Sequence, residues 1–298
     1  YLQGYSLTMG EGITMVNYEN SNRNQGLLGS RAPAFHIICG WLQYNYTTLP
    51  RDNPEIVIKS GTYGRIIGGG SPGTSDGQGQ TTSHDFMGSS MNDAFNISIT
   101  IDIQNSTTSS DYDYDVNLLT GGSACGNNYS RVTENIKNGS VGRVLGGSIG
   151  DSQNIPTGNR WDPWDYPNNT FLGETTINVT GGSIEELYGG CLGRNMGVVD
   201  NYGNVDNSYT GNTCDSYFYG TININITGGE ITNNIYGAGA GGVTGYSSTS
   251  SDPYKNYGEN FDTYVNINIS GGTIDGDVYG GGYGYTEYLN ANVTATDG

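Results

Sequence analysis

Apolar and polar side chains alternate in short runs along this chain. Ile222, Ile224 and Ile226 are separated by Asn223 and Asn225, and the run closes with Thr227-Gly228-Gly229-Glu230-Ile231. Val265-Asn266-Ile267-Asn268-Ile269-Ser270-Gly271-Gly272-Thr273-Ile274 repeats the pattern, and so does Ile177-Asn178-Val179-Thr180-Gly181-Gly182-Ser183-Ile184. A period of two sends the apolar side chains to one face of a strand and the amides to the other. Each run therefore predicts a strand with one buried face. A shorter apolar stretch follows each: Leu187-Tyr188-Gly189-Gly190, Ile235-Tyr236-Gly237 and Val278-Tyr279-Gly280-Gly281-Gly282. Two weaker copies lie upstream. Ile56-Val57-Ile58-Lys59-Ser60-Gly61 leads to Ile66-Ile67-Gly68-Gly69, and Ile136-Lys137-Asn138-Gly139-Ser140-Val141 leads to Val144-Leu145-Gly146-Gly147.

The copies recur at a long period. Gly61, Gly139, Gly182, Gly229 and Gly272 mark the turn, with spacings of 78, 43, 47 and 43. The first gap is nearly two periods and holds a degenerate copy around Ile97-Ser98-Ile99-Thr100-Ile101-Asp102-Ile103. Leu7 to Met15 fits an earlier coil. Gly-Gly supplies the positive φ of a sharp corner. One such coil cannot bury its apolar face alone, so the copies must stack. Like on like gives parallel ladders, with outward amide rows at Asn223/Asn266 and Asn225/Asn268. The expected fold is all-β, a parallel β-helix or β-solenoid with long polar loop insertions. Residues 1–298 read as one solenoid, clearest over 174–298. The unfinished run from Tyr288 to Thr294 suggests an excerpt of a longer repeat protein. Polar insertions fall at about 74–94, 105–115, 148–172, 192–219 and 240–262. Such loops in solenoids often bind.

The Ile-Asn-Ile-Thr-Gly-Gly-x-Ile…Val-Tyr-Gly-Gly-Gly pattern resembles the repeats of bacterial and archaeal adhesin-like surface proteins. Those repeats are similar to the right-handed parallel β-helix, or pectin-lyase-like, architecture. The likeness is best over 174–284 and looser from 54 to 151. It is a likeness of solenoid pattern and carries no catalytic signature.

Composition narrows the function classes. Glycine accounts for 50 of 298 residues, but not at every third position, so collagen is excluded. Eleven Lys and Arg against 29 Asp and Glu give a net charge of −18. A nucleic-acid partner calls for a basic face that so few cations cannot make. No apolar run is long enough for a membrane-spanning helix. The Asn-x-Ser/Thr sequences at Asn178, Asn225 and Asn268 follow automatically from strands written Ile-Asn-Ile-Thr.

Five features carry candidate chemistry. Asp111, Asp113 and Asp115 alternate with Tyr112 and Tyr114, which in an extended segment places three carboxylates on one side. That is a candidate Ca²⁺ site, although the glycine and terminal Glu of an EF-hand are missing. A solvated acidic loop is the weightier alternative. Trp161, Trp164 and Tyr166 cluster in one insertion, and Tyr217 and Tyr219 are assigned to another. Aromatic faces beside Asp and Asn suit sugar rings, the alternative being rings that pin their own loops to the wall. Cys191 and Cys214 flank one insertion that a disulfide would close; four buried reduced thiols, with Cys39 and Cys125, is the other reading. His36 lies among apolar residues, as a core histidine does. Finally, Arg143 is placed to pair with Glu186 one copy on.

These readings converge on an extracellular, cell-surface protein without an enzymatic role, its loops meeting glycans or surface proteins of another cell. A self-assembling fibre or layer subunit that stacks head to tail is the second expectation. A polysaccharide-active β-helix enzyme or phage tailspike is the third. No paired-carboxylate spacing or nucleophile signature supports catalysis, and the negative field would repel acidic polysaccharides.

Overall fold

The computed structural model describes residues 2, 5–13, 36–39, 53–69, 95–105, 113–122, 128–148, 169–192, 198–199, 205–206, 216–240, 243–245, 263–283 and 287–296. Every regular element among them is a strand. In chain order these are β1 (Leu7–Met9), β2 (His36–Ile38), β3 (Glu55–Ile58), β4 (Tyr63–Ile67), β5 (Phe95–Asp102) and β6 (Val116–Thr120). β7 (Asn128–Asn138), β8 (Ser140–Leu145), β9 (Asn169–Tyr188), β10 (Val198–Val199), β11 (Val205–Asp206) and β12 (Ser216–Ile231) follow. The last are β13 (Ile235–Tyr236), β14 (Val243–Gly245), β15 (Tyr264–Ile274), β16 (Val278–Tyr279), β17 (Glu287–Tyr288) and β18 (Asn290–Ala295).

The chain is a parallel β-helix. Sixteen strands form a single sheet, and every pairing within it is parallel. One ladder runs β1–β3–β5–β7–β9 and continues through β12, β15 and β18. A second runs β2–β4–β6–β8 onto the end of β9, then through β13 and β16. β9 passes through the corner unbroken, so it belongs to both ladders and joins them. A third, short ladder links the start of β12 to β14, and β14 to β17. Among the described residues only β10 and β11 pair antiparallel, apart from the rest.

The register follows the repeat. Ile222, Ile224 and Ile226 stand opposite Val265, Ile267 and Ile269 on one side. On the other side they meet Thr175, Ile177 and Val179. Alternation turns these residues inward, and Ile177, Val179, Ile222, Ile224, Ile226, Val265 and Ile267 are fully buried in one continuous core. Burying each such side chain contributes about 1.5–3 kcal/mol. Phe171 and Phe218 add stacked rings to this core, with centroids 4.7 Å apart. The degenerate copy takes its expected place, as β5 pairs with both β3 and β7. Leu7–Met9 likewise pairs with Ile56–Ile58 as the earlier coil.

Two kinds of glycine shape the coil. At the corner between the ladders, Gly61, Gly139, Gly182, Gly229 and Gly272 have φ of +98°, +97°, +75°, +80° and +85°. This is the left-handed region, where a Cβ is strained. The second kind follows the tyrosines. A Cβ on Gly189 would strike the Gly237 carbonyl oxygen and the Ile222 side chain. There the chain approaches both its neighbouring coil and the opposite wall, and only a hydrogen fits.

Candidate functional site

The sheet has two outer faces built from the same alternation. On the first ladder, the residues between the core isoleucines form amide rows. Asn268 donates to Asn225, Asn225 to Asn178, and Asn178 to Asn135, each from Nδ2 to Oδ1 at 3.0 Å. Asn135 then donates to Thr100 Oγ1 at 3.4 Å. In the adjacent row Asn292 donates to Asn266, Asn266 to Asn223, and Asn223 to Glu174. Each amide within a row spends one donor and one acceptor along it, which leaves one of each for a ligand or water.

The second ladder carries a more varied face. Arg65, Leu118, Arg143 and Glu186 stand in register on successive coils. The Arg143 guanidinium holds Glu186 through both Nε (3.0 Å) and Nη2 (2.8 Å), with both groups ending on Oε2. Asn233 donates to the other oxygen of Glu186. Two residues along, the strand presents Tyr188, and the same place is taken by Tyr236 and Tyr279. Their rings stack, with centroids 4.9 and 5.0 Å apart and planes within 8°. Tyr283 meets Tyr236 edge-on at 5.6 Å.

Each phenol bonds to the side chain two residues earlier in the chain. Tyr188 donates to Glu186 and Tyr279 to Asp277, whereas Tyr236 accepts from Asn234. Tyr188 and Tyr236 are buried, at 2% and 7% exposure, while Tyr279 and Tyr283 reach 44% and 53%. Burial, reinforced by Glu186, raises the Tyr188 phenol well above its usual range. Burial, and then the hydrogen bond to Glu185, does the same to Tyr114. These phenols stay protonated and serve as donors. The row therefore offers aromatic surface at Tyr279 and Tyr283, next to the hydrogen-bonding groups Asn234 and Asp277. Sugar rings use both kinds of contact.

No protein-family model, no curated protein and no solved structure matches this chain. Its fold is read from its own strand pairing.

The residues singled out from the sequence fare unequally. Trp161, Trp164, Tyr166, Asp111, Cys125 and Cys214 lie outside the described residues. Tyr217 and Tyr219 do not belong to an insertion, because both are in β12. Tyr217 is in register with Thr170 and Val243, and Tyr219 is 4% exposed, within the wall rather than on a loop. Likewise Asn169 to Leu172, assigned to an insertion, open β9.

Asp113 is exposed, but Asp115 is fully buried. The Asp115 carboxylate accepts from the Ser140 N–H and hydroxyl at 2.9 and 3.0 Å. Residues 113–115 bend instead of extending, so the common facing expected of these aspartates does not hold there. Among the described residues no group of His, Cys, Asp and Glu is arranged to hold a metal ion. Cys191 is buried, and its sulfur accepts the Ser148 N–H. Cys39 is a buried free thiol. His36 takes its place in β2, in register with Arg65.

Sequence reading missed the tyrosine row. The signal was present, since Tyr188, Tyr236 and Tyr279 each follow an apolar residue and precede glycine. Read as an apolar pair, the two look alike. In the structure Leu187, Ile235 and Val278 pack in or against the main core, whereas Tyr188 and Tyr236 are buried in a second cluster with Leu118, Leu145, Leu192 and Ala240.

Proposed function

We propose that this chain is an extracellular structural and adhesive surface protein, a rigid β-helix that presents polar, aromatic insertions to glycans or to proteins of another cell. The observation that carries this reading is where the insertions attach. Four of them join the second ladder of one coil to the first ladder of the next. They fall between Ile67 and Phe95, Leu145 and Asn169, Tyr188 and Ser216, and Tyr236 and Tyr264, the last span also holding β14 of the third ladder. Only 105–115 falls between a first-ladder and a second-ladder strand, β5 and β6. Insertions that recur between the same ladders of successive coils repeat along the axis, so weak single contacts add by avidity. The tyrosine row with Asn234 and Asp277 supplies a further sugar-compatible surface. A charge of −18 favours neutral or cationic ligands over acidic polysaccharides.

A panel of neutral and acidic polysaccharides, scored for retention and for cleavage with and without Ca²⁺, tests the reading. Retention of neutral glycans without cleavage is expected. Cleavage would replace the adhesin with an enzyme.

A second reading is a fibre or layer subunit. Among the described residues β1 pairs only with β3 and β18 only with β15. Tyr264, Tyr279, Tyr283 and Val293 are exposed in the last coils. A parallel coil pairs with any coil of matching cross-section, from the same chain or from another copy. Sedimentation showing a monomer at every concentration would exclude this alternative.

A further inference from the structure

We propose that Glu134 is a proton-controlled weak point that loosens the solenoid at β7 as pH rises. β7 alternates like the other strands of its ladder. Val132, Glu134 and Ile136 are buried, while Arg131 and Lys137 are exposed. Glu134 thus occupies an inward position. In register with it stand Ile99 of β5 and Ile177 of β9, and the column continues through Ile224 and Ile267. A carboxyl group has replaced one isoleucine in a stack of them.

Among the described residues its surroundings offer no compensation. Glu134 is 0% exposed, and neither Oε1 nor Oε2 has a hydrogen-bond partner. β5 brings Ile97, Ile99 and Ile101 into the core, and β9 brings Thr175, Ile177 and Val179. β6 and β8 contribute Val116, Leu119, Val141 and Val144 to the same core. None of these titrates, and the Thr175 hydroxyl donates to the Gly146 carbonyl. The remaining titratable groups of the described core make contacts elsewhere or are themselves neutral. Asp115 accepts from Ser140, Tyr63 donates to the Ser60 carbonyl, Tyr188 donates to Glu186, Cys191 accepts from Ser148, and Cys39 is a buried thiol. Burial alone pushes the Glu134 carboxyl well above its ordinary range.

An ionised carboxylate without a partner in such a core is very costly, so the folded chain holds Glu134 protonated. The unfolded chain releases that proton at about pH 4.3. Between that pH and the folded-state value, the native protein carries one more proton than the unfolded one. Stability from this group is therefore complete below about pH 4.3 and is lost as pH rises. The folding equilibrium weakens about tenfold per pH unit across the window. Each coil of a solenoid contacts only its neighbours, so the loss is local. The opening lies between the coils of β1–β6 and those from β9 onward.

The experiment compares the wild type with Glu134→Gln and Glu134→Ile from pH 4.5 to 9. Urea unfolding gives stability, and amide hydrogen exchange locates the opening. Net negative charge also weakens the fold as pH rises, so the difference from Glu134→Gln isolates this group. The wild type should lose about tenfold more per pH unit than Glu134→Gln, with β5, β7 and β9 losing protection first. Glu134→Ile should share the flatter profile and be the most stable at neutral pH. An infrared band of a protonated carboxyl should persist at pH 6 and vanish in Glu134→Gln. Equal slopes in wild type and Glu134→Gln would overturn the proposal. So would a missing infrared band, or a Glu134→Ile protein less stable than wild type at pH 7.

Discussion

Arg143 and Glu186 lie on adjacent coils in direct register, joined by a 2.8 Å contact between Nη2 and Oε2. The guanidinium also sits 5.9 Å from the Tyr188 ring centroid. The pair thus ties the polar column of the second ladder to its aromatic row. Their side chains are 26% and 19% exposed, so solvent screens the attraction only in part. A double-mutant cycle with Arg143→Ala and Glu186→Ala should give a coupling of about 0.5–1 kcal/mol. The coupling should shrink in high salt. Urea denaturation at two ionic strengths checks both, and a salt-independent coupling would count against an ion pair.

The amide row makes a prediction that depends on position. Asn225 is bonded on both sides, to Asn178 and from Asn268. Asn225→Ala should cost about 1–2 kcal/mol, because two neighbouring amides lose a partner. Asn225→Asp cannot donate to Asn178, so it should be no better than alanine at neutral pH. Thermal or urea unfolding measures each. A neutral Asn225→Ala would mean that water replaces the row without loss.

Three glycines separate the two reasons for glycine in this fold. Gly189→Ala drives a methyl into the Gly237 carbonyl and Ile222, an overpacking cost of about 1–3 kcal/mol. Gly182→Ala meets a φ of +75° as well as the Gly139 carbonyl, which adds about 1–2 kcal/mol of backbone strain. Gly10→Ala finds nothing within 4 Å and no positive φ, so its stability should stay within about 0.5 kcal/mol of wild type. Melting temperatures of the three variants decide the ranking.

Cys39 and Cys191 should be inert in the folded protein. Burial raises both thiols to about 12. Alkylation at pH 8 should be slow until denaturant is added. A thiol whose folded pKa is raised contributes stability that is complete below its unfolded value of about 8.5 and is lost as pH climbs toward 12. Cys191→Ser and Cys39→Ser should each flatten the stability profile above pH 9. Rapid native-state labelling of either thiol would contradict its burial.

Much of this molecule was legible before any tertiary information. The alternation of Ile222–Ile226 names the inward residues. The recurrence of the pattern names their neighbours, down to Asn225 beside Asn268. The five corner glycines found by spacing all have positive φ. These features are legible because a solenoid makes long-range contacts out of sequence repeats. The tyrosine row was less legible, since nothing local says whether Leu187 or Tyr188 joins the main core.

The sequence by itself determined the coil: its parallel stacking, its corner glycines, its amide rows and the Arg143–Glu186 pairing. Each follows from period-two alternation copied at a fixed spacing. Only the tertiary structure decided which non-repeating residues enter the interior. It placed Glu134 in an isoleucine column without a partner, turned Asp115 away from solvent onto Ser140, and drew Tyr219 into the wall. The physical reason is common to all three. Burial of a polar or aromatic side chain depends on what the neighbouring coils bring to the same level. A single strand does not contain that information.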